Sequence, residues 1–165
     1  IIKALIKMKK IILVLSIAFS FAACNIDDDG PGISYTYVEI LDATLPAYFI
    51  VDEEYEIDIT YDIGSDCNTF SSFEYNGRPH QEHDSIFEFY VNAIVSYDPN
   101  NVANCTDTGL IKTTNWTENF KLNSDQYEVI RFNFLSGTNT DHTAKYLTRD
   151  ILVGEPEDTP EETTE

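Results

Sequence analysis

The alternation of apolar and polar side chains at residues 55–63 is the feature that most restricts the fold of this chain. Every second position carries an apolar side chain, in the order Tyr55, Ile57, Ile59, Tyr61 and Ile63. The positions between them carry acids or threonine. Side chains of a β-strand point alternately to opposite faces, so this segment predicts a strand with one dry and one wet face.

The same period of two returns along most of the chain, and no stretch of ten or more residues has the apolar stripe of a helix. The further alternating segments are 33–42, 47–51, 69–76, 86–97, 110–122, 127–135 and 143–153. Turn-forming residues such as Asn, Asp, Gly and Pro separate them. Seven or eight short strands predict an antiparallel β-sandwich over residues 33–153, an immunoglobulin-like Greek key, with a small β-barrel as the alternative.

The first 23 residues have the organisation of a signal peptide. Lysine is the only charged residue type among them, and residues 11–23 are apolar except for two serines. Such a run is shorter than the roughly 20 apolar residues that cross a membrane, and it ends in small side chains. The sequence therefore predicts export, with residues 1–23 as the leader and Met8 as its true start.

The predicted cleavage site, Phe21-Ala22-Ala23-Cys24, resembles the lipobox of bacterial lipoproteins. The resemblance implies that the Cys24 thiol is acylated and that Cys24 becomes the first residue of the mature protein. Phe21 departs from the pattern, which usually has an aliphatic residue there, and an ordinary signal peptide cut after Ala23 is the alternative. Stable anchoring needs more than one acyl chain, and the three chains of a bacterial lipoprotein would hold the protein on a membrane.

Three consecutive acids, Asp27–Asp29, follow Cys24 closely and precede Gly30-Pro31-Gly32. They resemble the acidic export tag of surface lipoproteins in the Bacteroidota. That resemblance implies a lipid anchor in the outer membrane, with the protein exposed at the cell surface. We therefore expect residues 24–32 to form a lipid-anchored acidic linker. The alternatives are that its acids only keep the folded part away from the lipid headgroups, and that the protein lies on the periplasmic face.

The charge of the chain limits its partners. The sequence has 10 basic and 29 acidic residues, and four of the basic ones lie in the leader. The mature protein therefore has six basic residues against 29 acids, a net charge of −23. This balance argues against nucleic acid and against electrostatic binding to an anionic membrane, which leaves the lipid as the membrane attachment. Residues 154–165 are acidic and almost without large apolar side chains, so we expect a disordered tail.

The cysteine count predicts one disulfide. If Cys24 carries lipid, Cys67 and Cys105 remain as an even pair in an oxidising compartment. Two metal-ligating thiols are the alternative, but no CxxC spacing supports it. Trp116 follows both cysteines instead of lying between them, unlike the order in antibody domains. We therefore expect the bond to join loops instead of crossing the core.

Residues 80–84 are the best candidate for a metal site. His80 and His83 are three residues apart with Asp84 beside them, and His142 could supply a third nitrogen to zinc. A polar loop between strands explains these residues equally well. A structural calcium ion is a further option because oxygen ligands are abundant, but no segment has the spaced acids of a calcium loop, and no ligands are assigned. No other cofactor is indicated.

The sequence assigns no catalytic residues. It lacks both the G-x-S-x-G turn of a nucleophilic serine and a glycine-rich phosphate loop. Asp84-Ser85-Ile86 resembles the O-glycosylation motif of Bacteroidota proteins, which implies a glycan on Ser85, with a plain turn as the alternative. Trp116 shares a strand face with Phe120 and Leu122, which favours packing in the core over stacking on a sugar.

These observations predict a non-enzymatic binding or accessory module of the cell envelope, with a glycan or an envelope protein as its partner. A metal-binding protein or enzyme that uses the loop from His80 to Asp84 is one alternative. A structural component of the envelope is the other.

Overall fold

The computed structural model of the chain describes residues 32–155. The predicted leader, Cys24, the acidic run Asp27–Asp29 and the tail beyond residue 155 lie outside the described residues. Within residues 32–155 no helix has the length and apolar character that a membrane crossing requires.

Residues 32–155 form nine strands and one short 3₁₀ turn, and the strands make two sheets. The strands are β1 (Ser34–Val38), β2 (Ile40–Ala43), β3 (Tyr48–Phe49), β4 (Glu54–Asp62), β5 (Thr69–Pro79), β6 (Ile86–Tyr97), β7 (Ile111–Lys121), β8 (Val129–Thr138) and β9 (Ala144–Val153). Six belong to a mixed sheet, and β2, β4 and β7 form an antiparallel sheet in that order. The predicted β-sandwich is confirmed, and the barrel alternative is not what the chain adopts.

Strand β6 is the centre of the six-stranded sheet. β5 pairs antiparallel along one side of it, from Phe87 to Ser96. Its other side is shared, because β8 pairs with the first half of β6 and β1 pairs with the second half. β9 and then β3 continue the sheet beyond β8. The chain thus enters the sheet at Ser34, beside Tyr97, at the far end of β6.

Two pairs of the six-stranded sheet are parallel, which the predicted antiparallel pattern does not include. β6 and β8 run in the same direction, and so do β3 and β9. Between β6 and β8 the chain crosses to the other sheet, runs back as β7 and returns. A parallel pair needs such a crossover. The alternation of side chains carries no information about it, because a strand has the same period in either direction.

The segment predicted as one strand over residues 33–42 is divided between the two sheets. β1 pairs with β6 in one sheet and β2 pairs with β4 in the other, with Glu39 between them. The chain passes from one sheet to the other at Glu39. The carbonyl of Glu39 there accepts a hydrogen bond of 3.0 Å from the amide of Asp62 in β4. No Gly, Pro, Asn or Asp lies between Ile33 and Leu41, so the sequence has no turn signal at Glu39.

The strand predicted at residues 55–63 buries its dry face as expected. Ile57, Ile59 and Tyr61 are at most 1% exposed, and Ile63 is also buried. The residues between them face outward on the three-stranded sheet, where the hydroxyls of Thr60 and Thr113 hydrogen bond at 2.9 Å.

An aromatic cluster fills the space between the sheets. Phe132 of β8 is fully buried and stacks on Phe89 and Phe134, with ring centroids 5.5 and 5.9 Å away. Phe49 and Phe120 pack around it at 6.1 and 5.8 Å. Aromatic pairs in such geometries add to the stability that the buried area itself provides.

The predicted disulfide is present. The sulfurs of Cys67 and Cys105 are 2.09 Å apart, and the bond joins the β4–β5 connection to the β6–β7 connection. Each connection crosses from one sheet to the other, and the two also exchange backbone hydrogen bonds, such as Asp66 N to Thr106 O at 3.1 Å. The bond therefore joins loops, as the sequence predicted, and holds both crossovers together at one end of the sandwich.

Candidate binding face

The outer face of the six-stranded sheet is the most chemically distinctive surface of the described residues. On β6 the inward positions Val91, Ala93 and Val95 are fully buried, which fits the core. The outward positions alternate with them and include Tyr90 and Asn92, which are half-buried. Strands β1, β5 and β9 add further tyrosines and polar side chains to the same face.

These outward side chains surround a depression of about 380 Å³. We call it the tyrosine hollow and define it by Tyr37, Glu74, Arg78, Tyr90, Asn92 and Tyr146. They come from four strands, so only the pairing of β1, β5, β6 and β9 within one sheet brings them together.

One wall of the tyrosine hollow is the pair Tyr37 and Glu74. The hydroxyl of Tyr37 donates a hydrogen bond of 2.6 Å to Oε2 of Glu74, reaching across β6 from β1 to β5. This bond and the nearby negative charge raise the pKa of Tyr37. Tyr37 as a whole stays 53% exposed while its hydroxyl is held in place.

The opposite wall is built around Tyr90. Its ring meets that of Tyr146 edge to face at 5.4 Å, and the guanidinium carbon of Arg78 lies 4.7 Å from its centroid. Nη2 of Arg78 also donates to the Tyr90 hydroxyl at 2.9 Å. The contact with Tyr90 raises the pKa of Arg78, which therefore stays a cation. Three side chains hold one another in fixed orientations, which lowers the entropy lost when a ligand binds.

Neutral amides lie between the two walls. Asn92 is half-buried on β6, directly opposite Glu74 of β5. Asn76, which also borders the hollow, is exposed. Neither side-chain amide hydrogen bonds to another group of residues 32–155. Each offers two donors and an acceptor, so both are available to a polar ligand.

A buried polar layer continues the face beside the tyrosine hollow. Glu88 is only 7% exposed, and its carboxylate accepts a hydrogen bond of 3.2 Å from the Tyr90 hydroxyl. Nε of Arg78 lies 3.7 Å from the same carboxylate. Further along the sheet, Arg131 donates two hydrogen bonds of 2.7 Å to Asp150, which lower the pKa of Asp150 and raise that of Arg131.

Asn133 is the one buried side-chain group of the described residues that keeps an unpaired polar atom. Its Oδ1 accepts a hydrogen bond of 2.9 Å from the Thr148 hydroxyl, whereas Nδ2 has no partner within residues 32–155. Tyr90 and Asn133 are neighbours in register, and the contact of Tyr90 with Tyr146 spans β8 at this level. Asn133 thus lies on the outer sheet face of β8, between the two strands that carry these rings.

The structure does not assemble the predicted set of three histidines. His80 and His83 lie in the β5–β6 turn with ring centroids 5.0 Å apart. His142 lies in the hairpin after the far end of β8, while β8 begins beside Ile86, so His142 is at the opposite end of the sheet. Nε2 of His80 instead lies 3.8 Å from the Glu88 carboxylate. The expectation that His142 supplies a third nitrogen is therefore wrong.

Among residues 32–155, one group of three side chains has the spacing of a metal site, namely Asp66, Cys67 and Cys105. Two of its three ligands are bonded to each other as the disulfide. The group is therefore explained by the bond between the two connections.

Ser85 and Trp116 have clear positions in the fold. Ser85 is a half-exposed turn residue whose carbonyl accepts amide hydrogen bonds from Glu128 and Val129, and its hydroxyl is unbonded within residues 32–155. A glycan on Ser85 remains a prediction. Trp116 packs edge-on against Phe132 at 6.1 Å, at the margin of the core, in agreement with the core-packing interpretation.

The alternation pattern alone does not group the residues of the tyrosine hollow. Tyr90 at an outward position of β6 was the available signal, because the wet face of a strand usually carries shorter polar side chains. Which other side chains meet it depends on the order of the strands, which the alternation does not determine.

Comparisons with known protein families, with curated proteins and with solved structures find no match to this chain.

Proposed function

We propose that this protein is a non-enzymatic binding module of the bacterial cell envelope, and that the tyrosine hollow is its binding surface. A lipid on Cys24 holds the module in the outer membrane, where the acidic run after Cys24 directs it to the cell surface. The resemblance of residues 21–24 to a lipobox supports the anchoring part of the proposal.

The single observation that carries the binding part is the combination of exposed rings and fixed polar groups in the tyrosine hollow. Tyr37 is 53% exposed and Tyr146 is 39% exposed, although large aromatic rings gain most from burial. Both rings are held by contacts with Glu74 and Tyr90 instead of being loose. Tyr and Arg are also the side chains most enriched where binding energy is concentrated.

Retention of the chain on isolated envelopes tests the binding surface. Residues 25–165 are incubated with envelopes from a bacterium of the Bacteroidota, and the bound fraction is titrated. We expect Tyr37→Ala and Tyr146→Ala each to weaken binding about fivefold or more, because truncation at the centre of a binding surface costs over about 1 kcal/mol.

Ile111→Ala is the matched control for these variants. Ile111 is 57% exposed on the three-stranded sheet, so its replacement removes a comparable apolar surface from the other face of the sandwich. It should bind like the unchanged chain. Equal binding by the tyrosine variants and the control would refute the proposed binding surface.

Treatment of intact cells with protease tests the location. The unchanged protein should be degraded, and Cys24→Ala should release it from the membrane fraction. Degradation only after the outer membrane has been permeabilised would place the protein on the periplasmic side.

A further inference from the structure

We infer that the tyrosine hollow takes a neutral glycan chain, which lies along β6. The inference rests on the proposed function and adds the chemical class of the ligand and its direction on the sheet. Three properties of the face lead to it: its charge balance, the kind of polar group it leaves open, and its length.

The charge balance disfavours an ionic partner. The single cation of the hollow, Arg78, lies 3.7 Å from the Glu88 carboxylate, and the carboxylate of Glu74 accepts the Tyr37 hydroxyl. Glu88 is buried and accepts the Tyr90 hydroxyl, so the carboxylates of Glu74 and Glu88 both already have partners. The whole sequence carries 29 acids against 10 basic residues, so a polyanion would be repelled at long range.

The open groups suit a ligand with both hydroxyls and apolar C–H faces. Tyr37 and Tyr146 present partly exposed rings, on which the C–H face of a pyranose can lie. Asn76 and Asn92 present amides that can donate and accept, and a sugar hydroxyl also does both. A polypeptide strand would be expected to use a free sheet edge, whereas the hollow lies over β6, which has neighbours on both sides.

The depression continues beyond the hollow in both directions along β6. Tyr37 also borders a depression with Tyr35 and Ile94, and Tyr90 borders another with His80 and Glu88. We call these three adjoining depressions together the track. It reaches from Glu88 to Ile94, which corresponds to roughly 20 Å at about 3.3 Å per residue of strand. That length indicates an oligosaccharide of several units instead of a single sugar.

The envelope assay separates this inference from the proposed function when the envelopes are pretreated. Periodate destroys sugars with vicinal diols, and protease destroys protein. We expect periodate to remove at least nine-tenths of the binding and protease to leave it unchanged. Loss of binding with protease alone, with Tyr37→Ala still weakening it, would overturn the glycan inference and leave the binding surface intact. Binding that ignores the tyrosine variants would overturn both.

A glycan array then shows whether the glycans that bind are neutral or charged. Neutral chains should bind, with affinity rising with chain length until the track is filled and then levelling off. Their binding should change by less than about twofold between low and high salt, because no ion pair forms. Asn92→Ala should weaken binding by about threefold to tenfold, the effect of one lost hydrogen bond, while Ile111→Ala has none. Preference for uronate-bearing or sulfated chains, with a steep salt dependence, would refute the inference.

Discussion

Removal of the Cys67–Cys105 bond should cost the fold a large part of its stability. The bond closes a loop with a sequence separation of 38 residues. On the chain-entropy relation, a loop of this length lowers the entropy of the unfolded chain enough to stabilise the native state by about 4 kcal/mol. The total stability of a domain of this size is about 5–15 kcal/mol. Because Asp66 and Thr106 already join the two connections by backbone hydrogen bonds, the native loops should keep their positions.

Urea unfolding, followed by circular dichroism, measures this cost. The variants are Cys67→Ala, Cys105→Ala and the double variant, all in residues 25–165 so that Cys24 cannot exchange. With an m-value of about 2 kcal/mol per molar urea, the midpoint should fall by about 2 M in all three. The losses should be equal instead of additive, because any one substitution opens the same loop, and the reduced unchanged chain should match them. A fall of less than about 1 kcal/mol in the free energy of unfolding, or additive losses, would refute the chain-entropy reasoning.

Three further perturbations test the packing and the ion pair. Phe132→Ala should lower the free energy of unfolding by about 3–5 kcal/mol, since the ring is fully buried, and a loss under 1 kcal/mol in urea titration would contradict the described core. Gly77→Val should cost about 1–3 kcal/mol, because even a Cβ there would lie 2.8 Å from the Phe87 ring; a higher unfolding midpoint would contradict this. Arg131 lowers the pKa of Asp150, so their contact should stabilise the fold above pH 4 or so and lose its effect as the pH falls through the lowered pKa. The difference in melting temperature between the unchanged chain and Asp150→Asn should therefore shrink in acid. A constant difference from pH 7 to pH 3 would contradict a stabilising Arg131–Asp150 contact.

Most strands could be predicted from the sequence because their side chains alternate on a buried sheet. The segment 86–97 coincides with β6, and 110–122 differs from β7 by one residue at each end. The division of 33–42 at Glu39 could not be predicted, since no Gly, Pro, Asn or Asp marks it. The parallel alignment of β6 and β8 is equally hidden, because it depends on which sheet β7 joins.

The disulfide could be predicted from the sequence, whereas the binding face could not. Cys67 and Cys105 could be paired by counting, since a pair of thiols leaves no choice of partner once Cys24 is set aside. The tyrosine hollow has no such counting rule. Tyr37 and Tyr146 are more than 100 positions apart in the sequence, and they share a face only because β1 and β8 lie along the same side of β6.

The position of β1 determines how the domain carries mechanical load. The chain enters at Ser34 beside Tyr97, and β1 then runs antiparallel along β6, the strand that also forms the centre of the tyrosine hollow. A pull on the chain at Ser34 that is directed along β1 acts along the direction of the strands. The five β1–β6 residue pairs, from Ser34 to Val38, are then loaded in shear all at once instead of being unzipped one after another. Load that enters at Ser34 in this direction therefore reaches β6, the strand of Tyr90, through all five pairs together.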